Sequence, residues 1–167
     1  MRYGSLGQGG GATATDEARA PVGTAGLGVK EIPYDYVATF KLTGVRGARV
    51  QDVVTISTEG TFVAVSVGYS FVPTAAASAL PGGVPAIEFL YTIVDSGSGR
   101  ELQNKAVHNI AGLGSADGNR PFRPFARPVS FVPRATIRIE IEELSDGAAF
   151  KDGTLFIVLH GYKRLGE

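Results

Sequence analysis

The sequence predicts an all-β protein: an antiparallel β-sandwich of jelly-roll or Greek-key type with an extended glycine-rich N-terminal arm. Three observations predict it. Apolar and polar residues alternate with period 2 in segment after segment, the pattern of a sheet with one buried face. Gly- and Pro-rich connections separate these segments. No long amphipathic helical pattern lies between them, so βαβ units and a parallel sheet are not expected. No internal repeat is visible, which sets propellers and solenoids aside.

The arm comes first. Gly4, Gly7, Gly9, Gly10, Gly11, Gly23, Gly26 and Gly28 fall within residues 1–33, with Pro21 and Pro33. Apolar side chains there follow neither period 2 nor period 3.6, and glycine raises the entropic cost of ordering. Residues 1–33 are therefore expected as an arm, either a disordered tail or a leader that orders along a neighbouring subunit. Residues 34–167 are expected as the sandwich domain.

Within it, Ala38, Phe40 and Leu42 alternate with Thr39 and Lys41, a first strand. Val50–Val54 with Ile56 makes a second. From Thr61 to Phe71, Val63, Val65, Val67, Tyr69 and Phe71 are expected on one face, with Ala64, Ser66, Gly68 and Ser70 on the other. Ile87, Phe89, Tyr91 and Ile93 form one face of the next strand. Glu101–Ile110 reads either as a short helix stopped at Ala111–Gly114 or as a loop with a short strand near Ala106–His108. Ile137, Ile139 and Ile141 alternate strictly with Arg138, Glu140 and Glu142. Thr154 to Tyr162 is apolar on nearly both faces, which predicts a central strand.

Composition narrows function mostly by exclusion. A chain of 167 residues fits one domain with a core of its own. With 16 Lys+Arg against 16 Asp+Glu the formal charge is zero, removing the electrostatic term that general nucleic-acid binding needs. Cysteine is absent, so disulfides, thiol nucleophiles and Cys-type metal sites are excluded. No basic start followed by an apolar run of about 7–15 residues marks a secretory signal. No stretch reaches the roughly 18 apolar residues of a membrane helix. A soluble product made in a cytoplasm without cleavage is expected.

Catalytic motifs are missing. His108 and His160 are the only histidines and share no metal-ligand spacing. Gly97–Ser98–Gly99 does not make a nucleophile elbow, and no phosphate-binding glycine loop is present. Glu140 and Glu142 share a strand face and could form a glycosidase-like pair, although a solvated strand face paired with Arg138 is the simpler reading. Tyr3, Tyr34, Tyr36, Tyr69, Tyr91 and Tyr162 could serve a carbohydrate-binding module, but the absence of Trp counts against one. No cofactor or metal is expected.

The most unusual segment is Arg120–Arg134, RPFRPFARPVSFVPR, with four Arg, four Pro and three Phe in 15 residues. Each proline fixes φ and pushes its predecessor to extended geometry, so the segment reads as a stiff ribbon. Arg and aromatic residues are enriched at the energetic centres of interfaces. Three readings stand: a loop whose Phe side chains enter this protein's own core, a protein-docking ribbon, or a nucleic-acid contact. The expected interface residues are Arg120, Phe122, Arg123, Phe125, Arg127 and Arg134, with Tyr3 and Leu6 of the arm.

From Arg120 to Arg164 the chain runs from this ribbon through PVSFVPRATIRIEIEELSD and a short acidic glycine turn to TLFIVLHGYKRL. This quarter of the chain resembles the C-terminal strand pair of small virion structural proteins of tailed bacteriophages. The resemblance implies a non-enzymatic subunit of a head–tail connector, or of a head decoration. It implies protein partners, namely copies of itself in a homo-oligomer and other virion proteins. It places the chain in the virion, after assembly in the host cytoplasm.

Overall fold

The computed structural model describes residues 28–74, 87–114, 122–146 and 152–166. The strands are β1 (Lys30–Leu42), β2 (Arg49–Thr55), β3 (Thr61–Pro73), β4 (Phe89–Asp95), β5 (Arg100–Glu101), β6 (Val107–His108), β7 (Phe122–Phe131), β8 (Thr136–Glu143) and β9 (Gly153–Leu165), with one helical turn, α1 (Asn109–Gly112). They form two antiparallel sheets in the orders β1-β9-β3-β7 and β2-β8-β4-β5, with β6 also on β4. This is the jelly-roll arrangement, and it decides between the two topologies the sequence leaves open. The chain keeps crossing between sheets, so each buries its apolar face against the other.

Period 2 places the core correctly in most strands. Ala38, Phe40 and Leu42 of β1, Phe89, Tyr91 and Ile93 of β4, Ile137, Ile139 and Ile141 of β8, and Leu155, Ile157 and Leu159 of β9 all join the inter-sheet core. Strand β9 is central, with β1 on one side and β3 on the other. The Phe62 ring meets Tyr36 edge-on at 4.8 Å between centroids and stacks on Phe131 at 6.4 Å.

Strand β3 departs from its expected pattern. Its register with both neighbours shifts between Ala64 and Ser66. One extra residue, Val65, reverses the inside and outside of everything beyond it. Phe62 and Ala64 therefore face the core before the bulge, and Val67 and Phe71 after it, while Val63 and Val65 stay out of the core cluster. Gly161 of β9 pairs with Ala64 at this point. A Cβ at 161 would run into the Val63 carbonyl oxygen. Gly161→Ala is expected to cost about 2 kcal/mol through forced backbone displacement, measurable as a lowered denaturation midpoint.

Residues 101–110 follow the loop-and-strand reading, since β6 and the single turn α1 replace the alternative helix. The buried Asn109 organises the turn. Its Oδ1 accepts from the Phe89 N–H at 3.2 Å, and its Nδ2 donates to the Ile87 carbonyl at 2.9 Å and to the Tyr69 hydroxyl at 3.2 Å.

Strand β1 starts at Lys30, before the expected first strand, so residues 30–33 of the expected arm belong to the sheet. Residues 1–27 of the expected arm lie outside the described residues. Pro33 is tolerated because β1 is an edge strand. Thr39 turns its N–H away from β9 and donates to Asp52 Oδ2 at 2.8 Å. By strand alternation Pro33 turns the same way, where its missing N–H breaks no ladder bond.

Candidate assembly surfaces

The ribbon forms the outer edge of its sheet as β7. It pairs with β3 at both ends, Phe122–Pro124 against Ser66–Gly68 and Val129–Phe131 against Phe62–Ala64. Residues 125–128 have no partner in that register. Pro124 and Pro128 carry no N–H, so the strand arches there. The three Phe side chains diverge. Phe131 is buried, Phe125 packs half-buried against the core, and Phe122 is 53% exposed.

Arg123 and Arg127 are exposed on this strand. Arg123 donates across to the Ala111 carbonyl of α1. Neither arginine meets a carboxylate among the described residues, whereas Arg49, Arg138 and Arg164 sit against Glu142, Glu140 and Glu31 at 2.8, 3.1 and 3.6 Å. Arg134 is not part of the cluster. It occupies the β7–β8 turn with a left-handed φ of 66°, and its N–H donates to the Ile56 carbonyl at 3.2 Å. Arg120, Tyr3 and Leu6 lie outside the described residues.

A second surface was not picked out from the sequence. Across the β1-β9-β3-β7 sheet, Val37 opposes Val158, Val158 opposes Gly68, and Gly68 opposes Phe122. Directly opposed residues share a face. Val37 is 48% exposed, as Phe122 is to a similar degree, so the row looks outward. Beside it Asp35, His160, Ser66 and Pro124 form the next row. His160 Nδ1 is 3.1 Å from Asp35 Oδ1, and the imidazole meets Phe122 edge-on at 6.1 Å. The alternation of Phe156 and Val158 with buried neighbours signalled a central strand, but not that its outward side chains continue onto β1 and β7.

The remaining polar groups hold the fold. Glu142 and Glu140 lie on the outward side of β8, engaged by Arg49 and Arg138. Lys163 is buried, 3.2 Å from Glu59 Oε2, with its ammonium 3.7 Å from the Tyr34 ring centre. Burial pulls its pKa down, but the Glu59 hydrogen bond and the adjacent phenols outweigh it and hold the pKa above the usual lysine value. The stabilisation is therefore full below the ordinary lysine pKa and is lost only as pH rises beyond it. Among the described residues, no three His, Asp or Glu side chains converge as a metal site. No helix there is long and apolar enough to cross a membrane.

The fold and these surfaces define a jelly-roll sandwich that presents an outward row of Val37, Val158 and Phe122 and an edge strand whose exposed arginines meet no carboxylate among the described residues. No family model matches the chain, and no curated protein matches it. Among solved structures it is similar to the capsid asymmetric unit of cyanophage Pam1, with 17% identity over 93% of this chain and 99% of that chain, at a TM-score of 0.45. It is also similar to the acid-stable capsid of Helicobacter pylori bacteriophage KHP30, with 13% identity over 83% and 99% of the two chains and a TM-score of 0.38. A crystal structure of a Sulfurospirillum deleyianum protein shares 10% identity over 75% of this chain and 97% of that one, with a TM-score of 0.40.

Proposed function

We propose that this chain is a structural subunit of a phage-like virion, a head decoration or a head–tail connector component, that works by contacts and not by catalysis. Its partners are copies of itself and other virion proteins, and its place is the virion after assembly in the host cytoplasm. The observation that carries the reading is the outward row Val37–Val158–Gly68–Phe122, which ends on an exposed Phe of the edge strand. Apolar side chains set together on a sheet face and rimmed by polar groups mark interaction surfaces. The jelly roll alone does not choose, since viral capsid and lectin domains share it. The resemblance of residues 120–164 to phage virion proteins favours the first.

The tyrosines weigh against the carbohydrate-binding alternative. Tyr36 and Tyr91 are buried, Tyr69 is tied to Asn109, and Lys163 covers the Tyr34 ring. Stacking platforms for sugars need open ring faces.

Size-exclusion chromatography with light scattering, together with mass spectrometry of purified particles, tests the proposal. Higher-order assembly and presence in particles are expected. The double variant Val37→Asp/Phe122→Asp is expected to shift the protein to monomer with its melting temperature nearly unchanged, since both side chains are about half exposed. A wild-type chain that stays monomeric at all concentrations and is absent from particles would overturn it.

A further inference from the structure

Behind the arch of β7 lies an open cleft of about 630 Å³, bounded on the far side by β4, β6 and α1. Its walls are of two kinds. Phe125 and Val107 give an apolar wall that packs against the core. Arg123 and Arg127 supply two guanidinium groups, and among the described residues no carboxylate lines the cleft. Tyr91 and Gln103 add a phenol and an amide. Burial raises the Tyr91 pKa, against the smaller opposing effects of its Gln103 hydrogen bond and the Arg123 charge, so the phenol stays a neutral hydroxyl.

We propose that this cleft receives an extended peptide segment of a partner protein that carries an apolar side chain flanked by carboxylates. Charge complementarity selects the occupant. Two guanidinium groups without an acidic partner among the described residues face a cleft whose body is apolar. Arg123 donates one N–H to the Ala111 carbonyl, and the remaining guanidinium donors can meet a carboxylate. Docking runs through side chains and not through strand addition, because Pro124 and Pro128 remove donors that an added strand would need. The inference rests on the assembly reading above and names the partner chemistry of the β7 edge.

Fluorescence anisotropy tests it, using the full chain and two labelled, end-capped peptides, Asp-Phe-Glu-Leu-Asp and Lys-Phe-Lys-Leu-Lys. The acidic peptide is expected to bind at least about tenfold more tightly than the basic one. Arg127→Glu is expected to abolish that preference, and Phe125→Ala to weaken the acidic peptide about tenfold. Arg127 is exposed, so its variant should keep the wild-type melting temperature, which separates lost binding from lost folding. Equal binding of the two peptides, no binding of the acidic one, or an Arg127→Glu protein that binds as the wild type does would overturn the inference. If the protein assembles into particles while the acidic peptide fails to bind, the cleft inference falls and the assembly reading stands. If the acidic peptide binds but the chain neither self-associates nor enters particles, the reverse holds.

Discussion

Phe62→Ala is expected to destabilise the protein by about 3–5 kcal/mol, which for a domain of this size lowers the melting temperature by on the order of 10 °C or more. The ring is fully buried and lies between Tyr36 and Phe131. It stands two residues before the bulge, where β3 is pinned by β7 on one side and β9 on the other. That crowding limits collapse around the void, which puts the loss toward the upper end of the range. Phe62→Leu keeps most of the volume and should lose about half as much. Equilibrium unfolding in urea checks both. A loss below 1 kcal/mol for the alanine variant would mean that the three rings are not the packed cluster described.

The second large effect is expected at Glu143. Its side chain is buried at the end of β8, yet among the described residues it pairs with no lysine or arginine. Its carboxylate accepts from the Thr43 N–H and the Gly44 N–H, each at 2.9 Å, and from the Thr43 hydroxyl at 3.3 Å. It thus holds the turn between β1 and β2, strands that belong to different sheets. Glu143→Ala removes the acceptor and strands these donors, an expected loss of about 3 kcal/mol. Glu143→Gln keeps one acceptor oxygen and should lose about half of that. Hydrogen exchange at the Thr43 and Gly44 amides checks the mechanism as well as the magnitude. Both amides should exchange markedly faster in the alanine variant, while those of the Ile137–Ile141 stretch stay protected.

Glu143 also shows what the sequence made legible. Half-buried strands record burial at period 2, so Ala38, Phe40 and Leu42, or Ile137, Ile139 and Ile141, could be placed by inspection. Glu143 keeps the phase of those isoleucines, and that parity pointed inward. Its residue type, next to Glu142 in a carboxylate-rich stretch, gives no sign of that burial. The bulge at Val65 left no trace in composition, because an inserted residue changes phase and not residue type. At the candidate cleft, the near wall was spelled out by the Arg, Phe and Pro of one segment. The far wall, Tyr91, Gln103 and Val107, arrives through long-range pairing that a single sequence does not display. Arg134 belonged to the ribbon in sequence, but the β7–β8 turn carries it away.

Strand β9 follows every other strand in chain order, yet it lies in the interior of its sheet and pairs with β1 along thirteen positions. On a ribosome, β1 emerges with the partner it needs still unmade. Until β9 leaves the exit tunnel, β1 has no ladder, and one long edge of β3 stays open. Such distant pairings make folding slow and leave sticky edges waiting. A nascent chain of this kind should depend on holding chaperones until β9 has cleared the tunnel, and truncation that removes β9 should yield aggregate in place of a smaller fold.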